Sequence, residues 1–362
     1  MLIEFKDLPK KVGESYYQRA REEIIEYYSQ NSDILSIYEY GSVSSPGVSD
    51  LDIILILKDD VKTKENFFEF SNISKEVHHL LGDGTVMKMS QENFSNINFL
   101  ENNINVKKLF GKDIKLKSPD KSYQEILDLI SVIDWLPERI IRLTRIITSK
   151  NINIIDALTL LHSYSYTIKK VDKILGKDKE SSKSQSTLNK IKLLRNNWHS
   201  IDNPNIVLIE CIQQSISLGY RYLDVFEEYL KSCNKYCRSK INLDEDINLE
   251  LYDNHYIRFV NSKKISKKES YAIEMSQAEK KFVLISSYFY PHFECLASQV
   301  GILSSVANKK LKPHIAFSRE ILIPEYKNNL IKKLTVAESN AQFLLKNNMK
   351  NGLIRYGFHF KN

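Results

Sequence analysis

One short segment constrains this chain more than any other: YEYGSVSSPGVSDLDIILIL, residues 38–57. It joins two runs rich in branched and aromatic residues, ILSIYEY at 34–40 and DLDIILIL at 50–57, through the Gly/Ser/Pro-rich turn GSVSSPGVS at 41–49. Such runs, punctuated by glycine and proline, read as two strands joined by a turn. The second run becomes continuously apolar, as a strand buried on both faces should. It nevertheless opens with Asp50 and Asp52, which a period of two places on one side of the strand, with Leu51 and Ile53 on the other. Two carboxylates side by side make a poor core. They suit a hard divalent cation, which takes oxygen ligands and commonly combines one or two carboxylates with substrate phosphates. Gly41 lets a ligand approach the backbone closely, and amides there, with the Ser42 hydroxyl, can hold phosphate oxygens. The blander reading is a Gly-Ser turn between two strands, with Asp50 capping the turn and Asp52 exposed at a strand edge.

The remaining pattern divides the chain in three. ESYYQRAREEIIEYYSQ (14–30) carries apolar residues at helical spacing, and Asn31-Ser32-Asp33 ends it. A helix over 64–81, a strand at TVMKMS (85–90) and a short strand over 113–116 complete an expected first domain, 1–120, with a small mixed sheet. Long helical stretches follow: SYQEILDLISVIDWL, then PERIIRLTRIITS after a break at Pro137, then IDALTLLHSYSYTIKKVDKIL, then 206–229. Between the last two, GKDKESSKSQST (176–187) is polar and aperiodic and reads as a loop. These helices suggest a bundle over 121–240. A third domain, 241–362, is expected to mix strand and helix, with a hairpin about Asp253-Asn254 and a helix within 325–347. The fold class is therefore α+β.

Charge and cysteines narrow the function classes. The net charge of +7 lies in the C-terminal part: residues 233–362 carry +9 and the rest −2. An anionic partner is conceivable there, though without a recognised nucleic-acid motif a solvated basic surface explains it better. The opening MLIEFKDLPKK has charges where a secretory signal would be apolar. The least polar stretch, 282–307, contains Pro291, His292 and Glu294, which a bilayer span tolerates poorly. No transmembrane segment is expected, and a cytoplasmic location follows. Cys211, Cys233, Cys237 and Cys295 form no dense framework. Cys233 and Cys237, with His255 or His292, make a poor zinc set because no second close pair accompanies them.

The Gly-Ser that follows a strand and the Asp-x-Asp that opens the next resemble the signature of the DNA polymerase β-like nucleotidyltransferase superfamily. The small sheet followed by helices is similar to its antibiotic-modifying, small-molecule branch. That resemblance implies that Asp50 and Asp52 are catalytic and bind two Mg2+ ions, with Mn2+ as an alternative. It implies that Gly41 and Ser42 hold a nucleoside triphosphate such as ATP, with Ser49 supporting the turn. The implied reaction moves a nucleoside monophosphate to a hydroxyl on a small molecule or protein and releases pyrophosphate. A nucleic-acid acceptor is possible but not favoured, and a catalytically degenerate binding module is the other alternative. Two features depart from the family pattern. Only seven residues separate Ser42 from Asp50, and no third carboxylate is evident, since TVMKMS presents Lys88. Asp83, Glu92 and Asp113 are weak candidates for that acid. Asp134 and Glu138 are weak candidates for the base that activates an acceptor, and Arg139, Arg142 and Arg145 recur every three residues beside them.

Overall fold

The computed structural model describes residues 3–69, 73–78, 80–81, 86–101, 104–148, 151–176 and 182–232, six strands between 237 and 321, and scattered positions between 332 and 349. It has α+β architecture in two compact units. One comprises 9–128 and 328–362; the other comprises 1–8 and 129–327.

The first unit is built on a four-stranded mixed sheet. Helix α1 (Glu14–Ser29) precedes β2 (Ile34–Tyr40) and β3 (Asp52–Leu57), and β1 (Glu4–Lys6) belongs to the other unit. A single 3-10 turn (Glu65–Phe68) and the short α2 (Lys75–His78) lead to β4 (Met87–Ser90), α3 (Gln91–Ser95) and β5 (Val106–Gly111). The strand order is β4-β3-β2-β5; β3 and β4 are parallel, and β2 is antiparallel to both β3 and β5. Strand β3 is interior, and Ile53 to Leu57 are each at most 2% exposed. Among the described residues, the helix expected over 64–81 is confined to those two short pieces. Its Asn and Ser residues compete for backbone hydrogen bonds, and its paired aromatics favour other conformations.

Both faces of the sheet are covered within this unit. Residues directly opposite in a ladder share a face. Glu39, Ile53 and Lys107 form one row. On that face α1 presents Tyr17, Ala20, Arg21, Ile24 and Tyr28, all buried. Arg21 makes a two-pronged bond to Glu39 at 2.9 and 3.0 Å. Tyr40, Asp52 and Val106 form the row on the other face, where Phe94 of α3 meets the Tyr38 ring at 4.5 Å between centroids. The C-terminal helical residues also belong here: Asn340 and Leu344 are buried, and the Asn347 amide oxygen accepts from the Val61 N–H at 2.9 Å.

Two sequence expectations change. The fourth strand lies at 106–111, not 113–116. As an edge strand carrying adjacent lysines it lacks apolar alternation. Helix α4 (Lys121–Thr148) runs uninterrupted through Pro137, so the expected break is absent. Asn153, in the short β6 (Asn151–Asn153) that pairs in parallel with β1, caps α5 (Ile154–Ile174) by accepting from the Asp156 N–H at 3.0 Å. Helices α6 (Ser182–Asn196) and α7 (Pro204–Ser232) follow. The polar run expected as a loop is helical from Ser182, because Ser184 and Thr187 sit on the buried face with Leu188 and Ile191. Gly219 admits α4: a β-carbon there would lie 2.6 Å from Ile140.

Strands β7 (Cys237–Leu243), β8 (Asn248–Tyr252), β9 (Tyr256–Val260), β10 (Tyr271–Ser276), β11 (Lys281–Ser286) and β12 (Ile315–Ile321) form antiparallel pairs. The β8–β9 pair flanks Asp253-Asn254, where the hairpin was expected. Among the described residues, no helix is long and apolar enough to cross a membrane.

Candidate active site

The turn between β2 and β3 is held by α1. The Tyr17 hydroxyl donates to the Ser49 carbonyl at 2.6 Å and accepts from the Gly47 N–H at 3.0 Å. The Ser45 carbonyl accepts from the Val48 and Ser49 amides, and the Ser49 hydroxyl accepts from the Ser45 N–H at 3.1 Å. Ser49 is buried and its oxygen is used inside the turn, so it supports the turn and is not aimed at a ligand. Gly47 has φ +84°, and a β-carbon there would sit 1.9 Å from the Lys10 carbonyl oxygen. Only glycine fits both the left-handed conformation and that approach.

Gly41 plays a different part. Its φ is +80°, and a β-carbon would meet nothing within 4 Å. The space in front of it is therefore open. Its N–H donates to the Asn105 carbonyl at 2.8 Å, and the Asn105 side-chain amide returns a bond to the Gly41 carbonyl at 2.9 Å. The Gly41 amide thus belongs to this reciprocal clamp, and the neighbouring Ser42 is exposed.

Strand β3 starts at Asp52, so Asp50 and Leu51 lie in its lead-in. The Leu51 N–H donates to the Leu80 carbonyl at 2.6 Å. Exposure alternates through the segment: Asp50 and Asp52 are half-buried, while Leu51 and Ile53 are each 2% exposed. That is the pattern of an extended segment with one side inward. Burial pushes the Tyr17 phenol above its usual range; the Gly47 amide opposes this, and the Asp50 charge adds to the rise. Asp50 is therefore close enough to act electrostatically on the residue that anchors the turn.

Beside Asp52 the sheet offers a feature that the sequence did not reveal. Tyr40, its ladder partner, donates its hydroxyl to Glu101 at 2.7 Å. Glu101 follows the 3-10 turn Ile97–Phe99 and belongs to no periodic pattern, so nothing in the sequence connects it with Tyr40.

The candidates for a third acid are Glu92, Asp113 and Asp83. Glu92 is exposed in α3. Asp113 is exposed beside Lys108, at 3.8 Å, and Asp83 lies outside the described residues. Lys88 is buried, its ammonium 5.4 Å from the centre of the Phe68 ring. Among the described residues, no cluster of three or more His, Cys, Asp or Glu side chains could hold a metal ion. The donor set still fits a hard cation of the magnesium kind: two oxygen-donor carboxylates, partly open, next to the free space over Gly41. Such a cation would need substrate oxygens to complete its shell.

The more distant candidates resolve separately. Arg139 lies 4.3 Å over the Trp135 ring and Arg142 is exposed. Asp134, Glu138 and Arg145 lie on α4, but their side chains are outside the described residues. Cys233 and Cys295 also fall outside them, while the buried Cys211 thiol is pushed up to about 11 by burial. Comparison of the chain with protein-family models, with curated proteins and with solved structures finds no match in any of the three.

Proposed function

We propose that the first unit transfers a nucleoside monophosphate from a nucleoside triphosphate to a hydroxyl acceptor, on a small molecule or a protein, and releases pyrophosphate. One observation carries this reading: two half-buried carboxylates alternate with two buried leucine and isoleucine side chains where the most buried strand begins, next to a Gly-Ser bend with open space before it. A structural turn has no use for paired acids there, whereas phosphoryl chemistry needs positioning and charge neutralisation.

In this reading Asp50 and Asp52 hold Mg2+ or Mn2+, which supplies the positive charge that offsets the triphosphate and lowers the pKa of the acceptor hydroxyl. Ser42 donates its hydroxyl to a phosphate oxygen. Asn105 keeps Gly41 in its left-handed conformation, so that no side chain fills the space the phosphates need. Tyr17 fixes the turn and sets the direction from which Asp50 approaches. In-line displacement at the α-phosphate then joins the acceptor oxygen to that phosphorus and expels pyrophosphate, while the acceptor proton leaves to a base.

The test is to incubate the chain with each of the four α-labelled triphosphates, Mg2+ or Mn2+, and cell extract, and to follow pyrophosphate and label. Label on an acceptor with matching pyrophosphate supports transfer. A second reading, a nucleotide-binding module without catalysis, is favoured by the absence of a three-acid cluster among the described residues. Triphosphate binding without pyrophosphate release would establish it.

A further inference from the structure

The edge of the sheet carries a line of positive charge. Strand β5 is the outer strand on the Tyr40 side. Lys107 and Lys108 on it, and Lys112, Lys115 and Lys117 in the segment that follows, are all exposed. Val106, at the start of this line, pairs with Tyr40, the ladder partner of Asp52. The line therefore begins at the end of the sheet that holds the acid pair and runs away from it. The Lys112 N–H donates to the Leu35 carbonyl at 3.2 Å and the Lys117 N–H to the Ser95 carbonyl at 2.7 Å, so the backbone beneath the lysines is fixed at both ends.

Lysine on an edge strand blocks pairing with a second sheet edge. That accounts for Lys107 and Lys108, but Lys112, Lys115 and Lys117 lie beyond the ladder, where no strand edge needs protection. Acid is sparse along the line: Asp113 approaches Lys108 at 3.8 Å, and Asp120 accepts from the Tyr123 N–H at the start of α4. Among the described residues, the large exposed apolar side chains are Leu8, Tyr166, Leu193, Ile206 and Val225, none of them here. A lipid surface or a protein partner would need apolar anchors. Lys107 and Lys108 leave opposite faces of the strand, so the charges line the edge and do not form a single row; a basic edge without apolar anchors matches a polyphosphate backbone.

We propose that this lysine edge binds the backbone of single-stranded nucleic acid, largely without regard to sequence. The binding stands apart from the transfer reading. If both hold, the track leads a strand toward the acid pair.

Binding of fluorescent 20-nucleotide RNA and DNA to the full chain, without triphosphate, tests this. With five lysines engaged, a slope of about −0.7 per neutralised phosphate gives about −3.5 in log K against log salt, or roughly a hundredfold weaker binding at 200 mM than at 50 mM. The variant Lys112→Gln/Lys115→Gln/Lys117→Gln should flatten the slope by about 2. The corresponding arginine variant should bind as the native chain does. Protection of these lysines from acetylation by bound oligonucleotide, read by mass spectrometry on the native chain, supports the proposal independently of any variant. No binding at 50 mM salt overturns it. So does an unchanged slope in the glutamine variant, or protection confined to lysines after residue 233. Binding to phosphatidylserine vesicles with none to oligonucleotide also overturns it. Asp50→Asn/Asp52→Asn should leave binding intact, so loss of the track and loss of the transfer reading are separable.

Discussion

Replacing Tyr17 with Phe removes one oxygen and orphans two backbone groups. In the native turn that oxygen serves both the Gly47 N–H and the Ser49 carbonyl. Both residues are buried, as is the whole of Tyr17. Water does not reach them without opening the turn. A buried polar group left unpaired costs about 1–3 kcal/mol, so two such groups, less the desolvation of the lost hydroxyl, give about 2–4 kcal/mol. With an m-value of about 2 kcal/mol/M in urea, the midpoint should fall by about 1–2 M. Tyr27→Phe is the control. Its hydroxyl reaches the Phe67 carbonyl at a longer 3.3 Å in a partly exposed place, so its loss should cost under about 1 kcal/mol. Urea denaturation followed by tyrosine and tryptophan fluorescence reads both. Equal midpoints for the two variants, or a Tyr17→Phe shift below about 0.2 M, would refute the claim that the phenol pins the turn.

Three further outcomes follow from the same structure. Gly47→Ala should cost well over the ~1–2 kcal/mol of a left-handed alanine, because its β-carbon also overlaps the Lys10 carbonyl; Gly41→Ala, with equal φ and open space, should cost only that ~1–2 kcal/mol. Thermal melts that rank the two the other way would contradict this. Leu344→Ala should destabilise the first unit by about 2–5 kcal/mol, since Leu344 is 1% exposed although it comes from the far end of the sequence; an unchanged melting temperature would show that the C-terminal helix is not part of that core. Burial, with help from the positive Arg195 and Lys169, pushes His162 down to about 4. Between that value and its ordinary 6.5 the unfolded chain binds more protons, so this contribution is complete above 6.5 and fades as pH falls toward 4. His162→Gln should flatten the stability-versus-pH curve over that window, and an identical slope would remove the assignment.

The legible parts of the fold were those where local pattern and tertiary environment agree. ILSIYEY becomes β2 with the same ends, and α1 ends within one residue of its expected limit. Strand β3 begins two residues later than its apolar run suggests, because the Leu51 N–H bonds to the Leu80 carbonyl and not within the β2 ladder. Where tertiary packing overrides local preference, the sequence misleads. VKKLFG carries no alternation because its ladder with β2 shifts register between Lys108 and Phe110, which breaks the period of two. Pro137 does not break α4, since Val132, Leu136, Ile140 and Leu143 bury a continuous stripe around it. The site divides in the same way. Asp50, Asp52, Gly41 and Ser42 stand out by type and spacing. The Asn105 clamp, the Tyr17 pin and the Tyr40–Glu101 pair join residues 64, 32 and 61 positions apart, which no local pattern could reveal.

The most direct measurement is pyrophosphate release from the four nucleoside triphosphates by the native chain and by Asp50→Asn/Asp52→Asn, in Mg2+ and extract, with circular dichroism recorded on both. The native chain should release pyrophosphate and the variant none above background, with the helical signal unchanged. Release at the native rate from a chain that lacks both carboxylates would contradict this.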